Sequence, residues 1–93
     1  MKTKNNSIGM EIKCLTNMIN KYFNKDEVMR VIANILKADD IYTGSIINNN
    51  DIYISIGAID RGVEVNFFND IEFYNIILEN KADVCIFKMY LEN

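Results

Sequence analysis

Histidine, proline and tryptophan are absent from this 93-residue chain, and only two cysteines and four glycines are present. The missing histidine removes the commonest general base and metal ligand at neutral pH. Ser-His and Cys-His nucleophile pairs are therefore impossible within the chain. The four glycines, Gly9, Gly44, Gly57 and Gly62, are scattered, so neither form of phosphate-binding glycine loop exists. Cys14 and Cys85 stand too far apart in sequence to form a disulfide framework or a zinc motif. Free cysteine packs as a small hydrophobe, so both thiols are expected to be buried and reduced. A bridge between them requires Cα atoms within about 7 Å.

Long apolar runs are missing too. Val84-Cys85-Ile86-Phe87 is among the longest and falls far short of the ~20 residues of a membrane helix. Met1 to Gly9 carries Lys2 and Lys4 but leads into no apolar stretch of signal length. The expectation is a cytoplasmic protein without a membrane partner. Asn5-Asn6-Ser7 is a formal glycosylation sequon that matters only in a secreted chain. Ile and Asn abound, and Lys outnumbers Arg. These residues have A/T-rich codons, which points to a low-GC bacterium, or to a phage or mobile element within one.

What is present suits one folded domain over residues 1–93, with 1–7 as a flexible tail. Hydrophobic residues make up 49% and the net charge is only −3, which argues against disorder. The charge is unevenly spread. Residues 1–38 hold seven bases and three acids, and residues 39–93 hold three bases and ten acids. Such asymmetry steers association.

Spacing predicts a helix over 8–23 from Ile8, Ile12, Leu15, Ile19 and Tyr22, with Ser7 as its N-cap. Asn24 and Glu27 form a capping pair ahead of a second stripe, Val28, Ile32, Ile35 and Leu36. The short link makes the two an αα-hairpin. Tyr42 to Ile47 is a candidate strand, and Asn48-Asn49-Asn50-Asp51 a turn. Ile52, Ile54 and Ile56 alternate with Tyr53, Ser55 and Gly57, and beyond the turn at Asp60-Arg61-Gly62 Val63, Val65 and Phe67 alternate with Glu64, Asn66 and Phe68. Asn69 with Glu72 repeats the cap pattern, and Ile71, Tyr74, Ile77 and Leu78 then keep helical spacing to about Asn80. Val84 to Leu91 is rich in β-branched and aromatic residues and reads as a final strand, with a short helix as the alternative. The expected fold is α+β in the order α-α-β-β-β-α-β: a helical hairpin, a three-stranded antiparallel meander, a helix and a strand. Its helices pack on one sheet face.

Candidate chemistry is sparse. Asp39, Asp40, Asp51, Asp60 and Glu64 lie near turns or strand ends, where several could gather at one sheet edge as oxygen ligands. They lack the spacing of a calcium loop and read as turn formers, so no metal, cofactor or catalytic residue is expected. Arg61 is placed at an exposed hairpin tip, where arginine suits carboxylate or phosphate contacts. Tyr53 and Phe68 fall on the strand faces opposite the core set. They are exposed together if one sheet face is covered, and are core if both are.

The leading expectation is a non-catalytic protein-binding module that inhibits or modulates a larger partner. Its acidic C-terminal half would block a basic surface, such as that of a nucleic-acid-processing enzyme. Phage counter-defence (anti-CRISPR-like) and immunity-type inhibitors are the class-level analogy. Asp51, Asp60, Arg61, Glu64, Asp70, Tyr53 and Phe68 are the candidate contact residues, and the last two would also serve a homodimer. The alternative is a DNA- or RNA-binding regulator that uses Arg30, Asn34 and Lys37 on the basic helix pair. An acidic pI near 4.8 weighs against it.

Overall fold

The stripe Ile12, Leu15 and Ile19 is fully buried, which sets the orientation of the first helix. The computed structural model describes residues 3–37 and 44–92, with side chains from residue 12 onward. Helix α1 spans Thr3–Tyr22 and α2 spans Lys25–Lys37. Ser7 stands inside α1 and does not cap it. Asn24 does cap α2: its Oδ1 accepts from the amides of Asp26 at 2.8 Å and Glu27 at 3.1 Å. Asp26 and Glu27 then sit where the helix dipole favours acids. Val28, Ile32 and Ile35 are buried along α2, whereas Leu36 is exposed.

Four strands follow: β1 Gly44–Asn49, β2 Ile52–Ile59, β3 Gly62–Phe68 and β4 Phe73–Leu78. They form one antiparallel sheet in the order β1-β2-β3-β4. Helix α3, Lys81–Glu92, closes the chain. The fold is α+β as expected, but the order is α-α-β-β-β-β-α. The segment read as a helix to Asn80 contains β4, and the segment read as the final strand is α3.

The first correction has a local cause. Asn69 Oδ1 does accept from the amides of Ile71 and Glu72, both at 2.7 Å, as a cap would. The amide of Asn69 also donates back to the Glu72 carbonyl at 3.0 Å. This closes a four-residue hairpin turn instead of opening a helix. Tyr74, Ile76 and Leu78 then alternate inward, and Ile71, which would have lain on a helical stripe, is 89% exposed.

The second correction is also a matter of capping. Asn80 Oδ1 accepts from the Asp83 amide at 2.9 Å, and Asp83 Oδ2 accepts from the Glu79 amide at 2.8 Å. That reciprocal pair starts a helix in the manner of a capping box. Phe87 and Leu91, four apart, are buried, with Val84 and Tyr90 packed beside them. Cys85 is exposed on α3 and Cys14 on α1, so neither thiol is buried as expected.

The helices form one layer. α1 packs on β4 and α3, and α2 packs on β2 and β3. Three ladders of side chains face them: Ile54, Phe67 and Tyr74; Ile56, Val65 and Ile76; Ala58, Val63 and Leu78. Phe67 lies at the centre, edge-on to Phe23 at 6.3 Å and tilted against Tyr74 at 6.1 Å. Each fully buried Ile, Leu or Phe here contributes about 1.5–3 kcal/mol by leaving water. The sole buried polar residue among those described, Thr16, donates its hydroxyl to the Ile12 carbonyl at 2.8 Å.

Candidate functional site: an uncovered sheet face

Alternation along a strand sends every second side chain away from the helices. In register, the first outward row is Asn48, Tyr53, Phe68 and Phe73, one residue from each strand. The second row is Ile46, Ser55, Asn66 and Asn75, and the third is Gly44, Gly57, Glu64 and Ile77. All three helices pack from the other side. Tyr53 and Phe68 are therefore exposed together, although only in part.

Their rings stack with centroids 5.3 Å apart and planes inclined by 19°. Phe73 extends this pair on β4 and is 65% exposed, and Ile46 on β1 is 69% exposed. The middle of the face is polar and preorganised. Asn75 Nδ2 donates to Glu64 Oε2 at 2.9 Å and to Asn66 Oδ1. That chain of bonds fixes the Glu64 carboxylate at the surface without neutralising it.

The turns surround the face with acids. Asp51 and Asp70 lie on the β1–β2 and β3–β4 turns, at the same end as the aromatic row. Asp60 and Arg61 form the β2–β3 turn at the opposite end. The eight residues of β2 separate Asp51 from Asp60, by roughly 27 Å. The carboxylates are thus not gathered at one edge, and among the described residues no group of three could hold a metal ion. Asp39 and Asp40 lie outside the described residues. Arg61 is exposed as expected, but its Nη2 lies 3.3 Å from Glu79 Oε2. From Gly44 to Asn80 the chain holds six acids and one base, and that base is Arg61.

The helical layer has the opposite balance. α1, α2 and α3 together hold eight bases and five acids, and the excess comes from α1 and α2. Arg30, Asn34 and Lys37 are exposed, at spacings that share one face of α2. The molecule is therefore polarised, with bases on the helical side and acids around the open sheet.

Concavities offer little chemistry. A shallow groove of about 510 Å³ is lined by Asn20, Phe23, Asn24, Lys25, Asp26 and Leu91. Its two charged residues, Lys25 and Asp26, sit on the exposed first turn of α2. Tyr74 is the one described group with a displaced titration. The Glu72 charge raises its pKa above the ordinary 10.0, with smaller contributions from burial and from Cys14. This keeps the phenol neutral and does not activate it.

No family model matches the chain, and no curated protein or solved structure matches it.

Sequence reasoning located Tyr53, Phe68 and Glu64 on this face but missed Phe73, Asn75 and Ile77. Those three lie in β4, the segment with helical spacing. The available signal was the alternation of Tyr74, Ile76 and Leu78.

Proposed function

We propose that the chain is a non-catalytic protein-binding module whose open sheet face docks on a basic surface of a larger partner. It acts by occupying that surface, as an inhibitor or modulator. The observation that carries this reading is the aromatic row Tyr53, Phe68 and Phe73, set on a face whose Glu64 carboxylate is held outward and whose surroundings are acidic. Partly exposed, rigid aromatics supply contact area at low entropic cost, and arginine and lysine stack well on them. Acids around such a row speed encounter with a basic groove and reject acidic competitors. A nucleic-acid-processing enzyme has a groove of this kind. Blocking it is how a small counter-defence or immunity protein would work.

Aromatics on an open sheet can also stack single-stranded bases. Here the only cation between Gly44 and Asn80 is paired with Glu79, so phosphates would find no compensating charge on this side. A nucleic-acid reading therefore belongs to the helical side. It draws support from Arg30, Asn34 and Lys37 on one exposed face of α2, where Asp26 and Glu27 stand one turn before Arg30.

The test is capture of partners from cells of the source organism, followed by purified binding. The wild type is compared with Phe68→Ser/Phe73→Ser, with a quadruple Asp51, Asp60, Glu64 and Asp70 to Lys variant, and with Arg30→Glu/Lys37→Glu. Loss of one nuclease-resistant protein partner in the first two variants only supports the proposal. Retention in both sinks it. Loss confined to the third variant, together with nuclease sensitivity, assigns function to α2.

A further inference from the structure

Among the described residues, strand β1 ends the sheet and β2 is its only neighbour in the strand order. Natural proteins blunt such edges with lysine, proline, a bulge or an inward charge. Gly44–Asn49 reads Gly-Ser-Ile-Ile-Asn-Asn and has no charged residue and no proline. It runs in unbroken register with β2 over six pairs, so no bulge bends it away. Every residue but Ile47 is exposed, and Ile46 is exposed to 69%.

We infer that β1 pairs antiparallel with β1 of a second copy, joining two sheets into one of eight strands with a continuous open face. Charge selects this edge. β4 is also uncharged, but Glu72 precedes it and Glu79 follows it. Antiparallel self-pairing there would bring Glu72 of each copy beside Glu79 of the other, whose carboxylate Arg61 of its own copy already engages. β1 is flanked by the uncharged Thr43 and Asn50, so the residues next to its two ends bring no carboxylates together. A face-to-face dimer is disfavoured for the same reason, since it would oppose two sets of acids.

Register follows from the pleat. A two-fold axis normal to the sheet keeps both helical layers on one side and pairs only residues of the same face. Centring the axis on Ile46 sets it against its own copy on the open face. Ile47 then meets Ser45 of the second copy on the helical side, and Asn48 meets Gly44. The most exposed apolar residue of β1 becomes covered, and the free backbone groups of both edges gain partners. This rests on the edge strand, its exposure and the charges beside it, so it stands or falls separately from the basic-partner reading.

The test uses the purified full chain with Cys14→Ser and Cys85→Ser, since both native thiols are exposed. Opposed residues of an antiparallel pair have Cα atoms about 4.5–5.5 Å apart, which suits a disulfide. Ile46→Cys is expected to cross-link most of the chain into dimer on mild oxidation. Asn48→Cys, whose twin lies four residues away, is expected to stay monomeric. Light scattering on the uncross-linked protein at tens of micromolar should give a dimer, and Ile46→Lys a folded monomer by circular dichroism. A wild-type monomer throughout this range overturns the proposal. So does a dimer that Ile46→Lys leaves intact but Tyr53→Ser/Phe68→Ser dissociates, because the interface is then the face.

Discussion

Gly62 offers a sharp test of the packing, because there the backbone leaves no room for a side chain. It opens β3 directly after the Asp60-Arg61 turn, with φ of 153°. A Cβ at this position would stand 2.1 Å from the Leu78 carbonyl oxygen and 3.0 Å from the Glu79 Cα. Both obstacles are backbone, so neither can rotate aside. Gly62→Ala must therefore push the end of β4 away from β3. The neighbouring Val63–Leu78 pair, each residue 1% exposed, would open with it. The strained backbone costs about 1–3 kcal/mol. Forced displacement of packed groups costs another 1–3 kcal/mol or so. Together the loss is about 2–6 kcal/mol, a large part of the ~5–14 kcal/mol a domain of this size has. A domain this small loses roughly 4–8 °C in Tm per kcal/mol, so the melt should fall by at least ~8 °C. Gly44→Ala is the control. Its Cβ would lie 3.3 Å from the Ile56 carbonyl oxygen, a tight but adjustable contact, and should change stability by less than about 1 kcal/mol. Thermal and urea melts followed by circular dichroism measure both. A Gly62→Ala protein within about 0.5 kcal/mol of wild type would refute the register of β3 against β4.

Other outcomes follow from the same packing. Phe87→Ala should cost about 3–5 kcal/mol, and Met89→Ala, at an exposed position, less than about 0.5 kcal/mol. In a strand the two residues would share a face and suffer alike, so equal losses would contradict α3. Asn80→Ala should cost about 1 kcal/mol through the lost cap and Asn24→Ala a similar amount, read from urea midpoints. One of the five tyrosines, Tyr74, should ionise above the ordinary 10.0 in a tyrosinate absorbance titration, and Glu72→Gln should bring it back towards that value. A raised folded-state pKa favours the neutral phenol. Any stabilisation from it is whole at neutral pH and is lost only as alkaline pH passes through the folded value.

The parts of the fold legible in sequence were those whose signals are local and unopposed. Asn24 had one role to play. Asn50 sits at φ 59° in the β1–β2 turn, as an Asn-rich turn invites. The isoleucines of β2 and the Val63, Val65, Phe67 series of β3 admit only a period of two. Residues 69–78 admit both periods, because Tyr74 and Leu78 lie on the inward set of either. The side-chain bonds of Asn69 are the same at a helix start and in a turn. What decides between them is non-local: β3 has a second edge, and β4 fills it. At 84–91 the β-branched content suggested a strand, but Asn80 and Asp83, just upstream, carried the stronger instruction. The candidate face was half visible for the same reason. Tyr53 and Phe68 belong to strands that the alternation identified, and Phe73 and Asn75 belong to the one it did not. The thiols were misplaced because burial of cysteine is a tendency of its type, and at Cys14 and Cys85 helix phase overrides it.

The most direct measurement of the central claim places a photo-crosslinking amino acid at Phe73, and separately at Leu36 on the helical layer, in cells of the source organism. Phe73 is 65% exposed and Leu36 is 43% exposed, so both can reach a partner. If the open sheet face is the docking surface, position 73 gives a single strong protein adduct, lost when Glu64 and Asp70 are changed to Lys, and position 36 gives none of comparable strength. A protein or nucleic-acid adduct from position 36 alone would contradict that reading and move the functional surface to the helices.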